Sequence, residues 1–149
     1  MNRPTKKGDP ITAGVLLRFV PNWPTHWEYD LHRPSPRAFR RRANEEYVSA
    51  YLDGLTSPDA LGALFPGFAI CALRVEVILT KDGLSVVYWP EPQEPEGIAH
   101  VAIYGVNRGR AEWLAREVAT IVKEPGPPAY PKNRDERDDP SSDLSTRGA

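Results

Sequence analysis

Phe68-Ala69-Ile70-Cys71-Ala72-Leu73-Arg74-Val75 decides the reading of the fold. All but Arg74 are apolar, so the run lacks the period-two alternation of a strand with one wet face. Pro66-Gly67 precedes it, and the turn signal Lys81-Asp82-Gly83 lies shortly beyond. A short continuous apolar run between breakers predicts a strand buried on both faces. Residues 76–80 fit either more strand or a helical turn.

The segments on both sides supply its company. Upstream, Tyr47-Val48-Ser49-Ala50-Tyr51-Leu52 is β-prone and stops at the turn signal Asp53-Gly54. Ser57-Pro58-Asp59 then opens a short helix: the serine can cap, proline suits the first helical position, and aspartate complements the positive end of the dipole. Nearer the N-terminus, residues 14–20 read as a first strand stopped by Pro21. Downstream, residues 84–89 and 98–104 read as strands separated by the Pro- and Glu-rich loop 90–97. Asn107 can cap a last helix, along which Trp113, Leu114, Val118, Ile121 and Val122, with Glu117 among them, recur at helical spacing. Pro125-Gly126-Pro127-Pro128 ends it.

Strands and helices do not alternate strictly, which favours the α+β class. The expectation is a mixed or mainly antiparallel sheet of about five or six strands, with a short central helix and a C-terminal amphipathic helix packed on it. Residues 1–10 read as a flexible lead-in, 11–124 as one globular domain, and 125–149 as a polar tail. That tail holds too little apolar surface to offset its ordering entropy and is expected to be disordered. A domain of about 110–120 residues can bury a core without disulfides or a structural metal.

Composition narrows the function classes. The 149 residues carry a net charge of -1, so no overall field draws the chain to nucleic acid or an anionic membrane. No stretch is long and apolar enough to span a bilayer, and no signal-type apolar segment follows the polar N-terminus. A cytoplasmic protein is expected, and the excess of Arg over Lys together with abundant Ala, Pro and Gly fits a GC-rich bacterial genome. Cys71 is the single cysteine. It can form no intramolecular disulfide and reads as a small buried hydrophobe.

Three clusters carry candidate chemistry. In His26-Trp27-Glu28-Tyr29-Asp30-Leu31-His32-Arg33, polar and apolar side chains alternate, which would put four polar groups on one strand face. Residues two apart on a strand stand about 6.5–7 Å apart at the backbone, close enough for long side chains to converge. Asp30 and His32, with His100 from another strand, are therefore candidate ligands for a metal ion. His32, Arg33, Tyr51 and His100, with Ser49, make a candidate catalytic pocket for a phosphate: arginine would hold the anion in a bidentate fork, and histidine or tyrosine would move protons.

A strand with His-Arg followed by one with Ser and Tyr resembles the layout of ADP-ribosyltransferases, although no glutamate matches that family's catalytic position. The outline is also similar to histidine phosphoesterases, except that neither His32 nor His100 has Ser or Thr at the second position after it.

The third cluster is the basic run Arg37, Arg40, Arg41 and Arg42, with Phe39 inside it. It could contact phosphates and stack on a base, or dock on an acidic partner. Glu45 and Glu46 follow at once and disfavour nucleic acid.

The chain has no Walker-type loop, dinucleotide fingerprint, nucleophile elbow or zincin helix, and no cofactor is expected. The expected function is a non-catalytic module that binds a protein partner. The alternative is an enzyme acting on a phosphate-bearing or nucleotide substrate through the His/Arg/Tyr pocket, and the third reading is nucleic-acid binding through the arginine run. Whether the protein is an enzyme stays open at this point.

Overall fold

The segment Val15–Val20 is apolar on both sides except at Arg18, and in a computed structural model of the chain it lies in the interior of a six-stranded sheet. The structure describes residue 4 and residues 6–130. In chain order the elements are β1 (Val15–Val20), β2 (Trp27–Glu28), β3 (Arg33–Pro34), a 3-10 turn (Pro36–Phe39), β4 (Tyr47–Leu52), α1 (Pro58–Leu64), β5 (Ala69–Arg74), α2 (Val75–Ile78), β6 (Ser85–Tyr88), a second 3-10 turn (Gly97–Ala99), β7 (His100–Tyr104), α3 (Arg108–Trp113), a π turn (Leu114–Val118) and β8 (Thr120–Lys123).

The sheet order is β6-β7-β4-β1-β5-β8, and every pairing in it is antiparallel. β1 pairs with β5 over its whole length, from Val15 opposite Arg74 to Val20 opposite Ala69. The continuous apolar run is thus an interior strand, as its lack of alternation implies. Successive side chains point to opposite faces. Leu16, Val20, Val48, Ala50, Cys71, Leu73, Val101 and Ile103 face the larger core, which Phe39, Val75, Ile78, Ala111, Leu114 and Val118 complete from above. Leu17, Phe19, Ile70 and Tyr51 face a smaller cluster with Leu61 of α1. Ser57 caps α1 through Oγ, which accepts from Ala60 N at 3.1 Å, and Pro58 takes the first turn.

Two expected elements take another form. The alternating strand over residues 26–32 reduces to two residues: β2 pairs only with β3, and residues 29–32 form the turn between them. Pro24 and Pro34 restrict the backbone on either side, and Pro34 has no N–H to extend a ladder. His26 and Trp27 are both buried while Leu31 is 57% exposed, so the four polar side chains do not share a face.

The last helix ends at Val118 rather than Val122. Ala119 N reaches back to Leu114 O, and the next four residues become β8 on the edge of β5. Thr120, Ile121 and Val122 are all β-branched, which disfavours helix and suits an edge strand. Residues 76–80 resolve as helical turn, while residues 98–99 belong to a 3-10 turn and not to β7.

Both ends of the described chain are tied down. Gly8 N donates to Tyr88 O at 2.7 Å, Tyr88 N to Asp9 O at 2.8 Å and Ile11 N to Val86 O at 2.9 Å, so the lead-in runs along the outer edge of β6. At the other end Gly126 N donates to Gly67 O and Ala129 N to Asn22 O. The remainder of the expected tail, beyond residue 130, lies outside the described residues. No described helix is long and apolar enough to cross a membrane.

Candidate anion-binding cleft and a buried histidine cluster

His100 opens β7, directly opposite Tyr51 of β4, and is 3% exposed. Its Nδ1 lies 2.6 Å from Trp89 O, and a carbonyl only accepts, so the proton sits on Nδ1. On the other side of the ring, Nε2 lies 2.9 Å from Ser49 Oγ, within hydrogen-bond distance. Glu91 Oε1 stands 3.3 Å from the same nitrogen. The rings of Tyr47 and Tyr51 meet the imidazole edge-on, at 6.0 and 5.6 Å between centroids. A hydroxyl, an imidazole and an orienting carbonyl are the parts of a Ser–His pair. Here they are sealed between two tyrosines on a sheet face, which is the setting of a satisfied interior histidine.

The structure brings Tyr51, Ser49 and His100 together and places the other expected members elsewhere. Asp30 and His32 are exposed in the β2–β3 turn, where His32 adopts φ 50. Arg33 Nε donates to Glu28 Oε1 at 2.7 Å within the small two-stranded sheet. Among the described residues no three of His, Cys, Asp and Glu gather closely enough for a metal ion, so Asp30, His32 and His100 do not form the expected ligand set. The cause is the loss of the long strand: without it, nothing aims Asp30 and His32 the same way.

The arginine run does make a site. Ser35 Oγ accepts from Arg37 N and starts the 3-10 turn, which buries Ala38 and Phe39 and turns the arginines to the surface. Arg18, 5% exposed inside the sheet, holds this turn: its Nε donates to Ala38 O at 2.7 Å and its Nη1 to Ser49 O at 2.5 Å. At the far end Arg41 Nε donates to Val106 O at 3.0 Å and its Nη1 to Glu45 O at 3.2 Å. The run is therefore stapled to β4 at one end and to the β7–α3 loop at the other.

Two adjoining concavities result. One of about 130 Å³ is lined by Arg37, Arg40, Arg41 and Arg42. The second, about 220 Å³, shares Arg40, Arg41 and Arg42 and adds Ala43, Val106, Asn107 and Arg108. Guanidinium groups stay protonated at any working pH, so this cleft is permanently cationic. Phe39 is 0% exposed and packs under Arg18, 5.9 Å from guanidinium to ring centroid, so it is not available to stack on a base.

Arg108 and the anchoring Arg18 were not singled out by the sequence. Arg108 is far from the run in the chain, and Arg18 sits in an apolar strand with no local sign that its partners are carbonyls. Cys71 is fully buried, and desolvation pushes its thiol up to about 12. No protein-family model matches this chain, and neither does a curated protein or a solved structure.

Proposed function

We propose that this protein is a non-catalytic interaction module that docks an acidic partner protein through the arginine cleft. The observation that carries the reading is the cleft itself: five arginines from two distant chain segments line two adjoining concavities that internal hydrogen bonds brace. A preorganised fork of guanidinium groups loses little entropy on meeting carboxylates or phosphates. Nucleic acid is the weaker occupant, because Phe39 is buried and the net charge of -1 supplies no general attraction. The enzymatic alternative keeps Tyr51, Ser49 and His100 but loses His32 and Arg33, and its hydroxyl–imidazole pair is closed to substrate-sized groups.

The test is binding of fluorescent poly-glutamate to the full chain at low and moderate salt. The expected result is an affinity that falls with salt and drops about tenfold or more in Arg40→Ala/Arg108→Ala, as charge-assisted contacts are lost. Equal affinity in the double variant, or turnover of a substrate by the wild type, overturns the reading.

A further inference from the structure

We infer that the arginine cleft also receives a segment of this same chain, the acidic run Asp135-Glu136-Arg137-Asp138-Asp139, which a partner must displace in order to dock. The inference rests on the proposed docking function and adds the regulation of that site. Its first support is the course of the chain after β8. Lys123 closes β8 beside Ile70, at the end of the sheet where β5 begins. Gly126 N then donates to Gly67 O at 2.8 Å, just ahead of β5, and Tyr29 Oη donates to Gly126 O at 2.9 Å. Asn22 holds the next residues: its Nδ2 donates to Pro127 O at 2.7 Å, and its backbone carbonyl accepts from Ala129 N at 2.9 Å.

Asn22 lies just beyond the end of β1, so the chain has crossed the end of the sheet from β8 past β5 to β1. The next strands in that order are β4 and β7. β4 runs antiparallel to β1, and Tyr47, which opens it, is paired with Tyr104, which closes β7, so both stand at this same end. The cleft is built there, from Ala43 shortly before β4 and from Val106, Asn107 and Arg108 directly after β7. Reach is sufficient. Asp135 follows Tyr130, the last described residue, by five positions. Five extended residues span up to about 17 Å, against roughly 10 Å for the two strand spacings from β1 to β7. Charge is the second support. Four of the five residues in the run are carboxylates. In the cleft Arg41 spends Nε and Nη1 on uncharged carbonyls, and Arg40 and Arg108 make no ion pair among the described residues. A tethered anion meets these groups at an effective concentration on the order of millimolar, so it competes with a free acidic partner.

The experiment compares two full-length proteins, the wild type and Asp135→Asn/Glu136→Gln/Asp138→Asn/Asp139→Asn, for binding of fluorescent poly-glutamate at low salt. The neutralised variant should bind about tenfold tighter or more, and adding Arg40→Ala/Arg108→Ala should abolish the gain. A control, Asp53→Asn/Asp59→Asn/Glu76→Gln/Glu117→Gln, makes the same change in net charge at exposed positions and should leave affinity as in the wild type. Equal affinity in the wild type and the neutralised variant, or an equal gain in the control, overturns the inference while docking through the cleft stands. Failure of both the wild type and the neutralised variant to bind overturns the docking reading and this inference with it. A wild-type dimer in sedimentation that the neutralised variant does not form overturns docking within one chain and assigns the cleft to a second copy.

Discussion

Arg18 shows how one residue carries information from core to surface. A buried guanidinium is costly to desolvate, and here two carbonyls and the face of Phe39 compensate it. Arg18→Ala should cost about 3 kcal/mol in a urea titration, because it strands those carbonyls and opens a cavity. It should also weaken cleft binding, since the turn that presents Arg37 and Arg40 loses its anchor. A variant with full stability and full affinity would show that the anchor is dispensable.

Cys71 gives a second prediction at this scale. Its thiol is held neutral by burial, with a value of about 12 against 9.0 unperturbed. The folded value is raised, so its contribution to stability is complete below pH 9 and is lost as pH rises from there toward 12. Within that window the loss is roughly 1.4 kcal/mol per pH unit. Comparing denaturation midpoints of the wild type and Cys71→Ala across this range isolates the effect. At neutral pH the native thiol should resist alkylating reagents and react once unfolded. The burial of Cys71 was legible, because its neighbours on both sides are apolar. The fate of His32 was not: its place on a strand depended on whether residues 29–31 stayed extended, and two prolines settled that against it.

At the scale of elements, the interior strands and the edge strand β6 declared themselves, and the edge strand β8 did not. β5 is a strand by its own composition, whatever surrounds it, and the same holds for β1, β4 and most of β7. β8 was read as the end of a helix because Ile121 and Val122 continue a helical spacing from Trp113 and Val118. That spacing competes with β-branching and with the open hydrogen bonds of β5, and the latter two prevail. The register supplies a test. Ile121 lies directly opposite Cys71. Ile121→Cys should therefore form a cross-strand disulfide with Cys71 on oxidative refolding, seen as a monomeric species lacking free thiol. Persistence of two free thiols would contradict the pairing.

Gly105 has a related constraint. It ends β7 at φ 89, and a Cβ there would overlap Gly83 O. Gly105→Ala should lower stability by about 2 kcal/mol or more through backbone strain and that clash. Because Val106 and Arg108 follow, it should also disturb the second wall of the cleft. The cleft itself was half legible: the arginine run is plain in the chain, but the facing wall comes from a loop that only the β4–β7 pairing brings near.

For the whole molecule, the consequence to draw lies in the position of β1. Both partner strands of β1, β4 and β5, come much later in the chain than β1 itself. Apart from β6 and β7, which follow one another in the chain, the strand pairs of the large sheet join segments distant in sequence, and such topologies fold in milliseconds to seconds rather than microseconds. Stopped-flow refolding should show this, and a microsecond phase carrying the full amplitude would contradict it. During synthesis the same order means that Val15–Val20 leaves the ribosome long before either neighbour exists. The nascent chain therefore carries an apolar strand that lacks any partner until Leu52 has emerged and keeps one open edge until Arg74 has, and that interval is when it most needs a chaperone.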